Sequence, residues 1–279
     1  MPELPEVETV KRGLEDILVG SQIIKVDVHQ PKLRYPIPNN LQKKLQNKYI
    51  KKLERKAKYL IIHTQENLAI VCHLGMSGSL TYKNTTKLLN KHNHVVFKIK
   101  SPYKKGKVFN IVYNDPRRFG LIDLVDVDKL NEWPAFRDIG IEPLSREFTG
   151  IHLHNILKNK KVSAKQAIMN TKNIVGIGNI YACEILFKSG IHPLRPSNSL
   201  SKQECVKLVA QIKQVLKEAI AAGGSSLKDH KKADGTLGYF QHNFCVYQKD
   251  GKNCPVCNHK ISKIKQSGRS TFFCENCQK

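Results

Sequence analysis

Four cysteines near the end of the chain have the spacing of metal ligands. Cys254 and Cys257 form one C-x-x-C pair, and Cys274 and Cys277 form a second pair after sixteen intervening residues. Two such pairs can give four thiolates to one tetrahedral zinc ion, which is then structural because no coordination position stays open. The segment between the pairs predicts a two-stranded hairpin that turns at Gly268. A hairpin that merely stabilises the chain end is the simpler alternative.

The first seven residues, MPELPEV, contain two prolines and two glutamates. Proline suits the first helical turn, and carboxylates are favourable at the positive end of the helix dipole. One apolar stripe and the glycine that predicts the helix end are Val7, Val10, Leu14, Ile17, Leu18 and Gly20. If Met1 is removed, Pro2 also becomes a free secondary amine with Glu3 beside it.

Two turns in the first half of the chain carry an unusual combination of side chains. Met76 lies among small residues in HLGMSGSL, and Arg117 and Phe119 belong to DPRRFG. An exposed apolar side chain with an arginine can enter a base stack and fill the gap left by an extruded nucleotide. The alternatives are that Phe119 covers the core and that Lys58, in ERKAKYL, is a solvated lysine.

The stretch VGIGNIY, residues 175–181, places two glycines and Asn179 ahead of a predicted helix. Glycines let a backbone approach a phosphate, and a helix N-terminus attracts its charge. A dinucleotide site would need a preceding strand and a third glycine, which are missing. In a basic chain, the pattern favours contact with a nucleic-acid backbone.

The charge balance points to the same partner. The 279 residues include 47 Lys and Arg against 23 Asp and Glu, a net charge of +24 that is spread along the chain. Nucleic acid is the expected partner, and an anionic membrane is disfavoured because no basic amphipathic helix or apolar span is evident. The acidic, polar start does not have the pattern of a signal peptide, so a cytosolic or nucleoid setting is expected.

The elements that would position these residues change along the chain. Short β-branched runs between about 22 and 125 predict an antiparallel β-sandwich or barrel, and residues 131–145 are interpreted as a linker. Helical spacing follows from about 150 to 222, with a capping box from Ser201 to Glu204 and a stop at Gly223. We therefore expect an α+β protein. The remaining cysteines, expected to be buried and reduced, are Cys72, Cys183, Cys205 and Cys245.

Taken together, MPELPEVET, HLGMSGSL, DPRRFG, VGIGNIYA, GIHP and the cysteine pattern resemble formamidopyrimidine-DNA glycosylase, a bacterial base-excision family acting on oxidised purines. The matches run in order along essentially the whole chain. The resemblance implies an N-terminal β-sandwich domain with its helix (1–135), a helix–two-turn–helix domain (136–226), a lesion-recognition loop (227–243) and a zinc-finger hairpin (244–279). It also implies monomeric action on double-stranded DNA and one structural zinc.

The resemblance further implies roles for individual residues. Pro2 would be the nucleophile that attacks the sugar C1′, and Glu3 a general acid/base. Lys58 and Arg269 would contact phosphates and assist β- and δ-elimination. The residues implied to contact DNA are His73, Met76, His92, Arg117, Phe119, Lys160 and Asn179, with Arg117 facing the orphaned cytosine. Glu6 is expected to be structural.

Some segments depart from the family pattern, and other functions stay open. KVSAKQAIMN lacks the family's usual proline and tryptophan, so Lys165 is a weaker base-pocket contact, and the loop at 225–241 does not fix base preference. An endonuclease VIII-like enzyme for oxidised pyrimidines is one alternative, disfavoured by Leu4 and by the Met76, Arg117 and Phe119 set. A non-catalytic, zinc-stabilised binder of damaged DNA is another.

Overall fold

The computed structural model describes residues 1–84, 90–103, 106–225 and 233–279. The chain divides into two compact units. The N-terminal unit comprises Met1–Arg137 and Ala222–Gln241, and the C-terminal unit comprises Asp138–Ala221 and His242–Lys279. Among the helices of the described ranges, none combines the length and the apolar character that crossing a bilayer requires.

The N-terminal unit contains two four-stranded antiparallel sheets. The first has the order β1-β6-β7-β5, with strands Gln22–Val28, Asn93–Lys100, Val108–Asn114 and Ser79–Lys83. The second has the order β2-β3-β4-β8, with strands Ile50–Lys56, Tyr59–Thr64, Leu68–His73 and Leu121–Asp126. Both sheets contribute side chains to one hydrophobic core, which confirms the predicted sandwich.

Helix α1, Leu4–Leu18, adds its apolar stripe to the same core. The five predicted stripe residues are all buried there. The chain leaves the helix through Gly20, whose φ of +75° lies in the left-handed region that glycine adopts at little cost. The start, face and end of this helix are therefore as the sequence predicts.

The C-terminal unit is helical and ends in a hairpin. Its helices are α3 (Gly150–Leu157), α4 (Ala164–Met169), α5 (Asn179–Ser189) and α6 (Lys202–Ala221), and its strands are β9 (Ser262–Gln266) and β10 (Arg269–Phe273). The predicted capping box is present, since Ser201 N–H donates to Glu204 at 2.8 Å and Glu204 N–H donates to Ser201 Oγ at 3.2 Å. The hairpin turns at Ser267 and Gly268, both with positive φ, as predicted.

Several short elements escaped sequence prediction, including α2 (Leu41–Leu45) and α4. Strand β2, IKKLERK, has only Ile50 and Leu53 buried, so its sequence lacks the alternation that marks a strand. Residues 131–145, interpreted as a linker, contain the boundary between the two units, at Arg137 and Asp138, but the first part of the segment is packed. Phe136 is buried, and its ring meets that of Tyr59 edge-on at 5.2 Å.

The isolated cysteines mostly follow expectation. Cys72, Cys183 and Cys205 are buried and form no disulfide, and burial raises the pKa of Cys72 to about 12, which leaves its thiol unreactive. Cys245 differs because it is only half-buried. The predicted lesion-recognition loop is described in part, since residues 226–232 lie outside the described ranges.

Candidate functional site

Pro2 and Glu3 form the buried entry to helix α1. Glu3 has extended backbone and precedes the first helical residue, so its N–H is one of the donors at a helix start that no backbone carbonyl of the helix can accept. Glu6 supplies a partner, because its Oε2 accepts from Glu3 N–H at 2.7 Å. Both Pro2 and Glu3 are buried, which holds them in one arrangement on a rigid element.

The second oxygen of the Glu6 carboxylate fixes a distant part of the N-terminal unit. Glu6 Oε1 accepts from the backbone N–H of Ser225 at 2.8 Å and from its hydroxyl at 3.0 Å. Glu6 therefore joins the start of α1 to the first residues of the loop that follows α6. This agrees with the expected structural role of Glu6.

Lys58 lies in the tight turn between β2 and β3. Ala57, just before it, has a φ of +56°, and its carbonyl accepts from Arg55 Nη1 at 2.9 Å. Arg55 Nε donates to Glu8 on α1 at 3.1 Å, and both side chains are largely buried. The turn that carries Lys58 is thus fixed to helix α1, which Pro2 and Glu3 precede.

His73 ends strand β4 with a neutral imidazole. Its Nδ1 accepts from Gly75 N–H at 3.0 Å, so the proton of the neutral ring resides on Nε2, which is left as a donor. Burial, and then the nearby charges of Lys58 and Arg34, lower the pKa of His73 to about 4. Lys58 and Arg34 are therefore close enough to His73 for their positive charges to lower its pKa.

This lowered pKa predicts an acid dependence of stability. Between pH 6.5 and about 4 the unfolded chain binds a proton at His73 that the folded chain does not, so the free energy of unfolding falls as the pH drops. We expect the loss to be on the order of 2 kcal/mol. It is measured as the difference between wild type and His73→Gln in urea unfolding at pH 7 and pH 4.5. An equal pH dependence in both proteins would contradict the assignment.

Met76, Arg117 and Phe119 come together on the surface of the N-terminal unit. Met76 is 41% exposed and Phe119 46% exposed, which excludes the alternative that Phe119 covers the core. The Arg117 guanidinium lies 4.8 Å from the centre of the Phe119 ring. A Cβ on Gly75 would lie only 2.5 Å from the backbone nitrogen of Gly120, so the two turns touch.

In the C-terminal unit, Asn179 is the first residue of α5 and lies beside the hairpin. Its Nδ2 donates at 2.9 Å to the carbonyl of Ser270, the residue after Arg269. Its Oδ1 accepts from Lys165 Nζ at 2.6 Å. Lys165 is buried and also donates to Thr271 Oγ1 at 2.7 Å. The structure therefore places the Lys165 ammonium inside a network that joins Asn179 to strand β10.

Lys160 and His92 occupy less constrained positions. Lys160 Nζ donates to Asn173 Oδ1 at 2.8 Å in the C-terminal unit. His92 lies in the N-terminal unit, where its carbonyl accepts from Asp115 N–H at 3.0 Å. Of the implied site residues, the N-terminal unit holds Pro2, Glu3, Lys58, His73, Met76, His92, Arg117 and Phe119, and the C-terminal unit holds Lys160, Asn179 and Arg269.

The four C-terminal cysteines form a site of the right size for zinc. Their sulfur atoms all lie within 4.8 Å of one another, with 3.8 Å between Cys254 and Cys277 and 3.4 Å between Cys257 and Cys274. A tetrahedral ion with Zn–S bonds of about 2.3 Å separates its sulfurs by about 3.8 Å. These residues fit one structural zinc ion, which would fix the base of the hairpin that carries Arg269.

Sequence reasoning missed two buried carboxylates that organise these regions. Glu184 on α5 is buried and accepts from the N–H groups of Cys245, Val246 and Tyr247, at 2.8, 3.0 and 2.8 Å. It anchors the segment that leads into the zinc hairpin. In the N-terminal unit, the buried Asp115 likewise fixes nearby turns by accepting from Ser77 and Gly120. Glu184 carries no local sequence signal, because its partners lie 61 to 63 residues away along the chain. Asp115 lies in the DPRRFG motif, but its bond to Ser77 spans 38 residues, so the motif alone does not indicate that the side chain is buried.

Comparisons with known proteins identify the same regions. Family models match residues 1–122 (formamidopyrimidine-DNA glycosylase N-terminal domain), 139–231 (its H2TH domain) and 251–279 (zinc finger found in FPG and IleRS). A formamidopyrimidine-DNA glycosylase of Wolbachia pipientis wMel is 48% identical over 278 residues, covering 100% of both chains.

Solved structures agree with these matches. A Lactococcus lactis FPG variant in complex with Fapy-dG-containing DNA has a TM-score of 0.91 at 32% identity, with 100% of each chain covered. The wild-type Lactococcus lactis enzyme in complex with DNA containing an oxidised pyrimidine has a TM-score of 0.90 at 33% identity, again over the full length of both chains.

Proposed function

The chain belongs to the formamidopyrimidine-DNA glycosylase family, and we propose that it excises oxidised purines from duplex DNA and then cleaves the strand at the abasic site. The observation that supports this proposal is the combination of two features in the N-terminal unit. The unit combines a buried Pro2–Glu3 entry to α1 with an exposed cluster of Met76, Arg117 and Phe119. A protein that only bound damaged DNA would have no use for the first of these features.

In the proposed base-excision step, the Pro2 nitrogen attacks C1′ of the damaged nucleotide after Met1 has been removed. The N–C1′ bond forms as the bond to the base breaks, and the base leaves with that electron pair. The nitrogen then loses its own proton, and its electron pair forms the C1′=N bond as the C1′–O4′ bond of the sugar ring breaks. Glu3, as the general acid/base, takes and gives the protons of this step, so that O4′ leaves as a hydroxyl group. A secondary amine gives an iminium that is already cationic and withdraws electrons from the sugar without a further proton. This iminium permits loss of the 3′ phosphate and then the 5′ phosphate.

Phosphate contacts in the two units support the elimination steps. Lys58 and the Nε2–H of His73 offer donors in the N-terminal unit, where His73 stays neutral at physiological pH. In the C-terminal unit, Asn179 and Arg269 offer further donors. The two residues are linked because Asn179 donates to the carbonyl of Ser270, which directly follows Arg269. We propose that Lys58 and Arg269 also assist β- and δ-elimination. When bound, zinc supplies rigidity to the hairpin and no reactive chemistry.

The exposed cluster would fill the gap that the damaged nucleotide leaves in the base stack once it is extruded. Unstacking a base step costs a few kcal/mol, which an inserted apolar side chain can offset. Met76 and Phe119 supply apolar surface, and Arg117 supplies donors for the orphaned base. His92 and Lys160 are proposed as further DNA contacts. A monomer acting in the cytoplasm on the nucleoid fits a substrate that is chromosomal DNA.

The proposal is tested by reductive trapping. Borohydride should link wild-type protein covalently to duplex DNA that contains 8-oxoguanine opposite cytosine, because it reduces the iminium to a stable amine. The product is measured as a shifted band and by mass spectrometry of the modified N-terminal peptide. Absence of trapping would contradict the iminium mechanism. The same assay with oxidised pyrimidines tests the alternative specificity, since a preference for them would favour an endonuclease VIII-like activity.

A further inference from the structure

Asp115 is a fully buried carboxylate at the start of the turn that carries Arg117 and Phe119. Burying a carboxylate is costly unless its oxygens are hydrogen-bonded. The sequence DPRRFG alone would be satisfied by an exposed aspartate in an ordinary turn. The burial of Asp115 therefore indicates that its oxygens have a specific set of donors.

Those donors come from both turns of the exposed cluster. Asp115 Oδ1 accepts from Ser77 Oγ at 2.8 Å and from Arg117 N–H at 3.3 Å, and Oδ2 accepts from Gly120 N–H at 2.9 Å. Ser77 is the residue after Met76, and Gly120 is the residue after Phe119. One carboxylate thus binds a direct neighbour of Met76 and of Phe119, and the backbone of Arg117 itself.

Asp115 is in turn fixed to the rim of the first sheet. Its N–H donates to the His92 carbonyl at 3.0 Å, and its own carbonyl lies 2.8 Å from Nε2 of the buried His94. His92 directly precedes β6, and His94 is its second residue. The anchor of the two turns is therefore a strand end in the packed sandwich and not another loop.

The turn needs such an anchor because its backbone is strained. Arg118 has a φ of +54°, a left-handed conformation that costs a residue with a side chain about 1 kcal/mol or more. The Asp115 carbonyl accepts from Arg118 N–H at 3.2 Å, which closes the turn in this conformation. Without the Asp115 contacts, relaxed backbone conformations become accessible, and Phe119 would leave its place against Gly75.

We propose that Asp115 is a positioning residue that holds Met76, Arg117 and Phe119 in the arrangement that enters the duplex. The inference rests on the proposed function, because the cluster matters only if a nucleotide is extruded. Asp115 acts without touching the reacting sugar. Asp115 affects the step in which the gap in the base stack is filled. It should therefore be dispensable on a substrate that has no base stack.

Two substrates separate this role from a general loss of structure. The first is duplex DNA with 8-oxoguanine opposite cytosine, and the second is a single-stranded oligonucleotide with an abasic site, which has no stack to fill. We expect Asp115→Asn to lower kcat/KM on the duplex by about ten- to hundredfold, the scale of lost hydrogen bonds to a charged group. Cleavage of the single strand should change by less than about threefold, since it needs none of these contacts. Equal losses on both substrates, or no loss on the duplex, would overturn the proposal.

Two further variants complete the test. Asp123→Asn is the matched control, because Asp123 is a half-buried carboxylate of the same unit that accepts from Trp133 Nε1 at 2.8 Å. It should leave both substrates unaffected. If Asp115→Asn does not fold, Ser77→Ala takes its place, removing one donor to Asp115, and should lower duplex activity several-fold with single-strand cleavage intact. Wild-type protein that cleaves neither substrate would refute the proposed function instead.

Discussion

Replacement of Pro2 with glycine is expected to lower base excision by about a hundredfold or more, a larger loss of activity than any other single substitution should cause. Glycine leaves a primary amine, whose imine must gain a proton before it can withdraw electrons from the sugar. It also removes the ring that fixes the position of the nitrogen within the buried entry to α1. The measurement is single-turnover release of 8-oxoguanine, together with borohydride trapping of the same variant.

The choice of a terminal amine as nucleophile has a simple physical basis. A terminal amine titrates near 7.7–8.0 and a lysine near 10.4, so at neutral pH the terminal amine is deprotonated about a few hundredfold more often. Proline is somewhat more basic than this comparison assumes, which makes the factor an upper guide. A lysine in the same place would be protonated, and a protonated amine has no electron pair for the attack.

Pro5→Ala is the matched control for Pro2→Gly. Pro5 is a buried proline in the first turn of the same helix, so its replacement perturbs the helix start without touching the terminal amine. We expect its excision rate to stay within a few-fold of wild type. Normal turnover by Pro2→Gly, or full activity of protein that retains Met1 by mass spectrometry, would place the nucleophile elsewhere.

Replacement of Cys257 with serine is expected to release zinc and to abolish tight binding of damaged DNA. Structural zinc sites contribute about 10–16 kcal/mol of apparent binding free energy, which is folding free energy for so small a segment. Apart from the cysteines, the hairpin is held by few buried side chains, among them Ile261, Phe272 and Phe273. Without zinc, Arg269 would lose its fixed position. Zinc content by elemental analysis and DNA affinity by gel shift check both effects.

Cys245→Ser is the control for Cys257→Ser. Cys245 is a half-buried cysteine of the same unit that lies outside the four-sulfur cluster. It should retain one zinc ion per chain and wild-type affinity for DNA. If Cys257→Ser lost zinc yet bound damaged DNA normally, the hairpin would have no part in binding, and the proposed role of Arg269 would be wrong.

The features that the sequence predicted well are those encoded within a few residues. The helix start at Leu4, the capping box from Ser201 to Glu204 and the hairpin turn at Gly268 each depend on interactions over three or four positions. The zinc site is similar, because each C-x-x-C pair is local and only one hairpin separates the pairs. The family motifs were readable for the same reason, since each is a short contiguous stretch.

The tertiary structure alone decided how those stretches are held in place. Asp115 meets Ser77 across 38 residues, Glu184 meets Cys245 across 61, and Lys165 meets Thr271 across 106. The residues next to Glu184 and Lys165 in sequence do not distinguish either from a solvated side chain, and those next to Asp115 do not show that it is buried. Strand β2 was missed for a related reason, because its place in the sheet is set by pairing with β3 and not by an alternating pattern of its own.

The amino-acid sequence by itself determined the reactive groups, the metal ligands and the local turns, because those depend on residue type and on short spacing. The folded chain determined which carboxylates and ammonium groups are buried and what they bind, because a buried charge requires partners that only long-range packing can bring to it.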